Sequence, residues 1–154
     1  MAASAITIYA ANLNHLNASD LLSATVKLAL VSSAYTPDAS STGNKLWSSV
    51  SANEIANGNG YITGGATLAT KVVTAITNGF KFSCDNVSWT ASGGAIPAWR
   101  YGVFYVAGTL WGMTNPLIGY FLGDSSPADT PATSDGSPLT IQAPASGWFT
   151  STKA

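Results

Sequence analysis

The residues able to do chemistry in this chain are seven carboxylates, a single histidine and a single cysteine, and their spacing limits what they can do. Nucleophilic catalysis by Ser or Cys needs a base within hydrogen-bond reach, ordinarily a histidine. The one candidate, His15, sits in the N-terminal segment, and no Gly-x-Ser-x-Gly elbow occurs anywhere. One Cys with one His builds neither a zinc centre nor an internal disulfide. Two carboxylates could run glycoside hydrolysis without histidine. Yet most of Asp20, Asp38, Glu54, Asp85, Asp124, Asp129 and Asp135 stand beside Gly, Pro, Ser or Asn, where Asp serves turns and caps. Asp124, Asp129 and Asp135 share one loop, which raises a hard cation as a ligand, but the EF-hand spacing and its bidentate Glu are missing. Gly58-Asn59-Gly60 opens no phosphate-binding motif. The expectation is no catalytic residue, no cofactor and no metal.

Trp47, Trp89, Trp99, Trp111 and Trp148 offer stacking surfaces for sugars, but tryptophan at strand spacing more often fills a core or a subunit interface. Arg100, between Trp99 and Tyr101, is the cation best placed for a packed or interfacial contact.

Positioning these residues requires strands. Val26, Leu28 and Leu30 alternate with Lys27, Ala29 and Val31, a period-two run. Tyr35-Thr36-Pro37-Asp38 reads as a turn, Leu46 to Val50 as an edge strand or irregular crossing, and Ser51 with Glu54 as a capping box opening a helical turn near 51–56. Gly64-Gly65 precedes a strand expected over Ala66 to Thr74, and Asn78-Gly79 joins it to Phe80–Cys84 as a hairpin. Val87 to Thr90 follows, then a long central strand from Ala98 to Val106, with Trp99, Tyr101, Val103 and Tyr105 on one face. Leu110 to Met113 and Leu117 to Leu122 read as hairpin-like across Thr114-Asn115-Pro116; Gly123 to Pro138 is a long loop, and Leu139 to Gln142 and Trp148 to Thr152 complete the strands. Short strands joined by Gly, Pro, Asn and Asp turns predict an all-β, single-domain antiparallel β-sandwich or jelly-roll-like barrel over 25–154. Residues 1–24 read as an N-terminal arm or a short helix, starting near Ser19-Asp20.

Composition narrows the partners. Hydrophobic residues are 46% of the 154, enough for one core, while charged residues are 8% against roughly 25% in ordinary soluble domains. A surface so poor in charge suits burial against partners. The net charge is −1 and the basic residues are scattered, so neither nucleic acid nor an anionic membrane is expected as a partner. No basic segment precedes Ala2 to Ala11, and no apolar run approaches the ~20 residues of a spanning helix.

The order of motifs from Leu28 to Leu68 resembles a family of small structural proteins of tailed-bacteriophage particles. An apolar strand runs into Ser33-Ala34-Tyr35-Thr36-Pro37, a Trp47 segment follows, then Asn53-Glu54-Ile55 and Gly60-Tyr61-Ile62-Thr63-Gly64-Gly65-Ala66-Thr67-Leu68. The likeness continues through Val87-Ser88-Trp89, Arg100-Tyr101 with Tyr105, and Pro116-Leu117-Ile118-Gly119-Tyr120, covering most of residues 25 to 150. It implies a non-enzymatic virion protein. The expected form is a capsid decoration (cement) protein on the capsid exterior, binding the major capsid protein and other copies of itself as a homotrimer. A tail, neck or fibre component, including a glycan-binding adsorption module, is the alternative. Ile6, Ile8 and Tyr9 of the arm, with Trp99, Arg100, Trp111 and Trp148, are the expected interface residues. An arm lying across a neighbour predicts that removing residues 2 to 12 weakens attachment without unfolding the domain.

Overall fold

The Val26 to Val31 alternation forms β2 (Val26–Val31) in the computed structural model, which describes residues 3–124 and 129–152. Elements are numbered in chain order. β2 pairs antiparallel with β7 (Tyr101–Val106) along its whole length, Val26 opposite Val106 and Val31 opposite Tyr101. On its far side β7 pairs with β10 (Leu117–Leu122), and the two-residue strands β1 (Thr7–Ile8) and β3 (Ala66–Thr67) close the edges. The resulting order is β1-β10-β7-β2-β3.

A second layer faces this sheet. It combines the three strands β4 (Val72–Ile76), β5 (Gly79–Ser83) and β12 (Phe149–Thr152), ordered β12-β5-β4, with the pair β6 (Val87–Thr90) and β11 (Pro138–Ile141). The short hairpin β8 (Thr109–Leu110) and β9 (Met113–Thr114) projects from one end beside α1 (Ala18–Ser23). The fold is all-β, and its sheets keep open edges rather than closing into a barrel.

The two faces of the large sheet carry different cores. Leu28, Leu30, Phe104, Val106 and Phe121 face the second layer and meet Phe82, Trp89, Ile141 and Trp148. Ala29, Val31, Val103, Tyr105 and Leu117 face outward, where Tyr9, Tyr35, Trp47 and Val50 cover them. Both faces of β2 and β7 are therefore apolar, the pattern of strands buried on two sides.

Several local expectations change. The segment from residue 66 is not one strand to Thr74: Thr70 takes a left-handed φ of 46°, and the chain leaves β3 there to begin β4 in the other layer. Thr70 Oγ1 donates to Asp85, fastening that crossover at 2.6 Å. β9 and β10 do not pair; the hairpin turn is Trp111-Gly112, both left-handed, and β10 joins β7 and β1. The long strand starts at Tyr101 rather than Ala98, because the chain bends at Arg100. Trp99 consequently joins the inner core, apart from Tyr101, Val103 and Tyr105. Near 51–56 a single 3-10 turn spans Ser51–Asn53, and Ser51 makes no cap. The helix starts at Asn17, whose side chain accepts from the Asp20 N–H at 2.8 Å. At the N-terminus β1 is a strand of the large sheet, Thr7 opposite Tyr120 and Ile8 opposite Gly119.

Candidate interaction surfaces

The segments Asn53-Glu54-Ile55 and Gly60 to Leu68 form a clamp on β2. The Ile55 N–H donates to the Leu30 carbonyl, and the Ser32 N–H to that of Asn53. Glu54 Oε1 then accepts from the Tyr61 hydroxyl at 2.6 Å and from the Gly64 N–H at 2.7 Å. The same Tyr61 oxygen accepts from the Leu30 N–H at 3.0 Å, so one phenol bridges strand and carboxylate inside the protein. Tyr105 completes the loop by donating to the Gly64 carbonyl at 2.8 Å. Gly65 lies against β2, where a Cβ would stand 2.0 Å from the Leu28 carbonyl oxygen, and its φ is +71°. Only glycine fits that approach.

Burial pushes the Glu54 carboxyl above its ordinary range, although the bonds from Tyr61 and Gly64 favour its charged form. Burial likewise raises Tyr61, with the Glu54 hydrogen bond adding to it, and pushes Tyr105 up to about 12. The arrangement fastens a loop to β2 through Glu54 Oε1, the Tyr61 hydroxyl and the backbone of Leu30 and Gly64.

The remaining chemical candidates lie apart. Cys84 is buried, accepts from Trp148 Nε1 at 3.1 Å, and burial raises its thiol above the ordinary value. A raised thiol is a poor nucleophile at neutral pH. His15 stacks on Trp111 with ring centroids 5.9 Å apart. Asp129 accepts from Arg100 Nε at 2.8 Å and from Ser33 at 3.1 Å, so it ties the 123–138 loop to β7 and the end of β2. Residues 125–128 of that loop lie outside the described residues, as do Met1 and Ala2 of the N-terminal segment. Among the described residues, no three His, Cys, Asp or Glu side chains group closely enough to hold a metal ion.

The expected interface residues divide sharply. Trp99, Trp148 and Tyr9 are fully buried, and Ile6 is buried in the inner core. Trp99 and Trp148 meet through Phe121, at 6.2 and 5.5 Å, and Ile6 donates its N–H to the Trp148 carbonyl at 2.7 Å. Tyr9 lies under the outer cover, its hydroxyl bonded to Tyr35 at 2.7 Å. These four side chains are buried within the chain itself. The N-terminal segment contributes Ile6 to the inner core and Tyr9 to the outer one. Ile8, Arg100 and Trp111 keep partial exposure.

Two surface groupings were not signalled by single residues. Leu122 lies opposite Tyr101 and Thr7 opposite Tyr120, so all four share the outward face of the large sheet beyond its cover. Tyr101 and Tyr120 meet edge to face at 6.0 Å, and Leu122 is exposed. Cross-strand register is what joins them, and register is legible only once the pairing is known. At the opposite end Trp111 donates to Asp20 at 2.7 Å, with exposed Leu22 on α1 and exposed Leu13 preceding it. Of the five tryptophans, Trp111 alone is not buried. No helix among the described residues is long and apolar enough to cross a membrane.

Compared with known proteins, the chain matches no protein-family model, no curated protein and no solved structure.

Proposed function

We propose that this protein is a non-enzymatic structural component of a tailed-bacteriophage particle, acting as a decoration protein that binds the major capsid protein lattice on the head exterior. The observation that carries this reading is the internal use of its longest shared motif. Glu54, Tyr61, Gly64 and Gly65 fasten a loop onto β2, so the polar groups of these residues that carry the motif's hydrogen bonds are engaged within the chain. What remains at the surface is charge-poor and rich in Ser and Thr, with apolar side chains at Tyr101, Tyr120 and Leu122. Tyrosine beside aliphatic surface is a composition enriched at protein interfaces. The proposal includes neither a nucleic-acid nor a membrane partner.

Capsids assembled without this chain should bind the purified protein in a saturable manner and sediment with it. Replacing Tyr120 and Leu122 together by Ser should lower occupancy at least tenfold while the melting temperature stays within a few degrees. Capsids that never take up the folded protein would overturn the head assignment.

One observation favours an adsorption module as the second reading: Trp111, half-buried on a hairpin tip, lies beside Asp20, His15 and Asn17. That reading predicts hits on a glycan array which vanish with Trp111→Ala, and an array without hits removes it.

A further inference from the structure

Among the described residues the longest edge strand is β4, five residues bonded to β5 on one side alone. Its turn to β5 consists of Thr77 and Asn78, so Ile76 and Gly79 close the hairpin as a hydrogen-bonded pair. Alternation along the ladder then turns the backbone groups of Val72, Thr74 and Ile76 toward β5, and those of Val73 and Ala75 outward. The open edge presents its N–H and C=O groups symmetrically about Thr74.

Edges of this kind are ordinarily blunted by a charged side chain, a proline or a bulge. β4 has none of these along its length, and α1 approaches it only near Lys71. Its Val-Val-Thr-Ala-Ile sequence is uncharged, and its register against β5 is unbroken. Lys71, the nearest cation, is turned aside, with Nζ donating to the carbonyls of Leu21 and Ala24. Elsewhere the edges are less inviting: β1 and β3 have two residues each, and β12 carries Ser151 and Thr152 on an edge whose start is held by Ile6.

We infer that β4 pairs antiparallel with β4 of a second copy of this chain, about a two-fold axis through Thr74. The strand is complementary to itself in that register. Val73 faces Ala75 of the second copy and exchanges two hydrogen bonds with it, and the symmetric pair does the same. On the face shared by Val72, Thr74 and Ile76, valine meets isoleucine at each end and threonine meets threonine on the axis, β-branched pairs that suit a sheet. No charged residue lies between Lys71 and Lys81, so the pairing opposes no like charges. Two three-stranded sheets would join into one of six strands (3 + 3), and a two-fold contact closes without propagating. A strand from a different protein would have no need of this symmetry.

Single cysteines test the register on the full chain, with native Cys84 left in place as the wild-type control. On the axis, Thr74 stands in a non-hydrogen-bonded pair with Cα atoms about 4.5 Å apart, within disulfide range. Val72 lies about 14 Å from Val72 of the second copy, four residues along the strand. Mild oxidation should therefore link Thr74→Cys into dimers and leave Val72→Cys monomeric, whereas a mixture of Val72→Cys and Ile76→Cys should form heterodimers. Equal linking at 72 and 74, or none at 74, would overturn the pairing. By sedimentation the wild type should show a concentration-dependent dimer that Thr74→Glu abolishes, since two carboxylates would then meet on the axis, while within each chain the new Glu faces Lys81 across the hairpin and the circular dichroism stays unchanged. A wild type that stays monomeric, or a dimer that survives Thr74→Glu, would also overturn it.

Discussion

The two faces of the large sheet are built by different means. Inside, rings pack on rings: Phe104 on Trp148 at 4.7 Å, Phe121 on Trp148 at 5.5 Å and Trp99 on Phe121 at 6.2 Å. Outside, the cover is a loop segment that brings Tyr35, Trp47 and Val50 back over β2 and β7. Its phenols need partners, since an unbonded buried hydroxyl is costly. Tyr9 bonds Tyr35 at 2.7 Å, and Tyr35 donates to Asn44 at 2.7 Å, while Asn44 also accepts from the Asp38 N–H. Trp47 stacks on Tyr105 at 4.4 Å. Buried Asn12 adds a further tie, donating to the carbonyls of Lys45 and Leu117. Ring packing dominates the inner face, where Tyr61 and Trp148 make isolated side-chain bonds, and the outer face adds a longer hydrogen-bonded chain of side chains to its burial. A surface loop can become a core wall when its polar atoms are satisfied.

The contrast can be broken from the inner side first. Trp148→Ala removes a fully buried indole that touches both layers and should cost about 3–5 kcal/mol. Chemical denaturation would measure it, and a loss under about 1 kcal/mol would mean that the inner face does not carry the fold. Next comes the clamp that joins loop to strand. Tyr61→Phe leaves the Leu30 N–H buried without its acceptor, and roughly 1–3 kcal/mol should be lost. For the outer face, Tyr9→Phe should cost only about 1 kcal/mol, because Tyr35 keeps its bond to Asn44. An outer phenol costing more than the Tyr61 bridge would reverse the ranking of the two.

The smallest effect is the one that depends on pH. Burial raises the folded-state pKa of Glu54 above its unfolded value of 4.5, so the folded chain binds the proton more tightly. Its contribution to stability is fully present below the unfolded pKa and is lost as pH rises through the folded pKa. Glu54→Gln keeps an acceptor for Tyr61 and Gly64 and removes the titration. The wild type should therefore gain on this variant as the pH falls toward 4.5, and level off below it. Thermal melts across that range would show it, and a gap that widens with rising pH would contradict it.

The inner face was legible in the sequence because alternation alone assigns it: β2, β5, β6 and the centre of β7 lie where the period-two runs place them. The outer cover was not, since residues 32 to 50 have no periodicity and their destination depends on pairing with a sheet not yet formed. Strand alternation places Trp99 with Tyr101, but the bend at Arg100 interrupts that alternation and turns the indole into the inner core. The N-terminal segment misled through its composition. Ile6 and Tyr9 are as suited to a neighbour's surface as to the chain's own core, and only the pairing of Thr7 with Tyr120 separates the two. The Glu54 clamp was visible as a motif but not as a network, because Tyr61, Gly64 and Leu30 converge on it only in the folded chain.

The proposed role makes this chain a fixed part of a virus particle. Imaging purified particles by electron cryomicroscopy tests that most directly. Symmetric copies of a two-layered β-domain on the outer surface of the head are the predicted result, and their loss from particles made without the gene should leave the lattice otherwise intact. Particles that carry no copy of the chain, by density or by mass spectrometry, would contradict the claim.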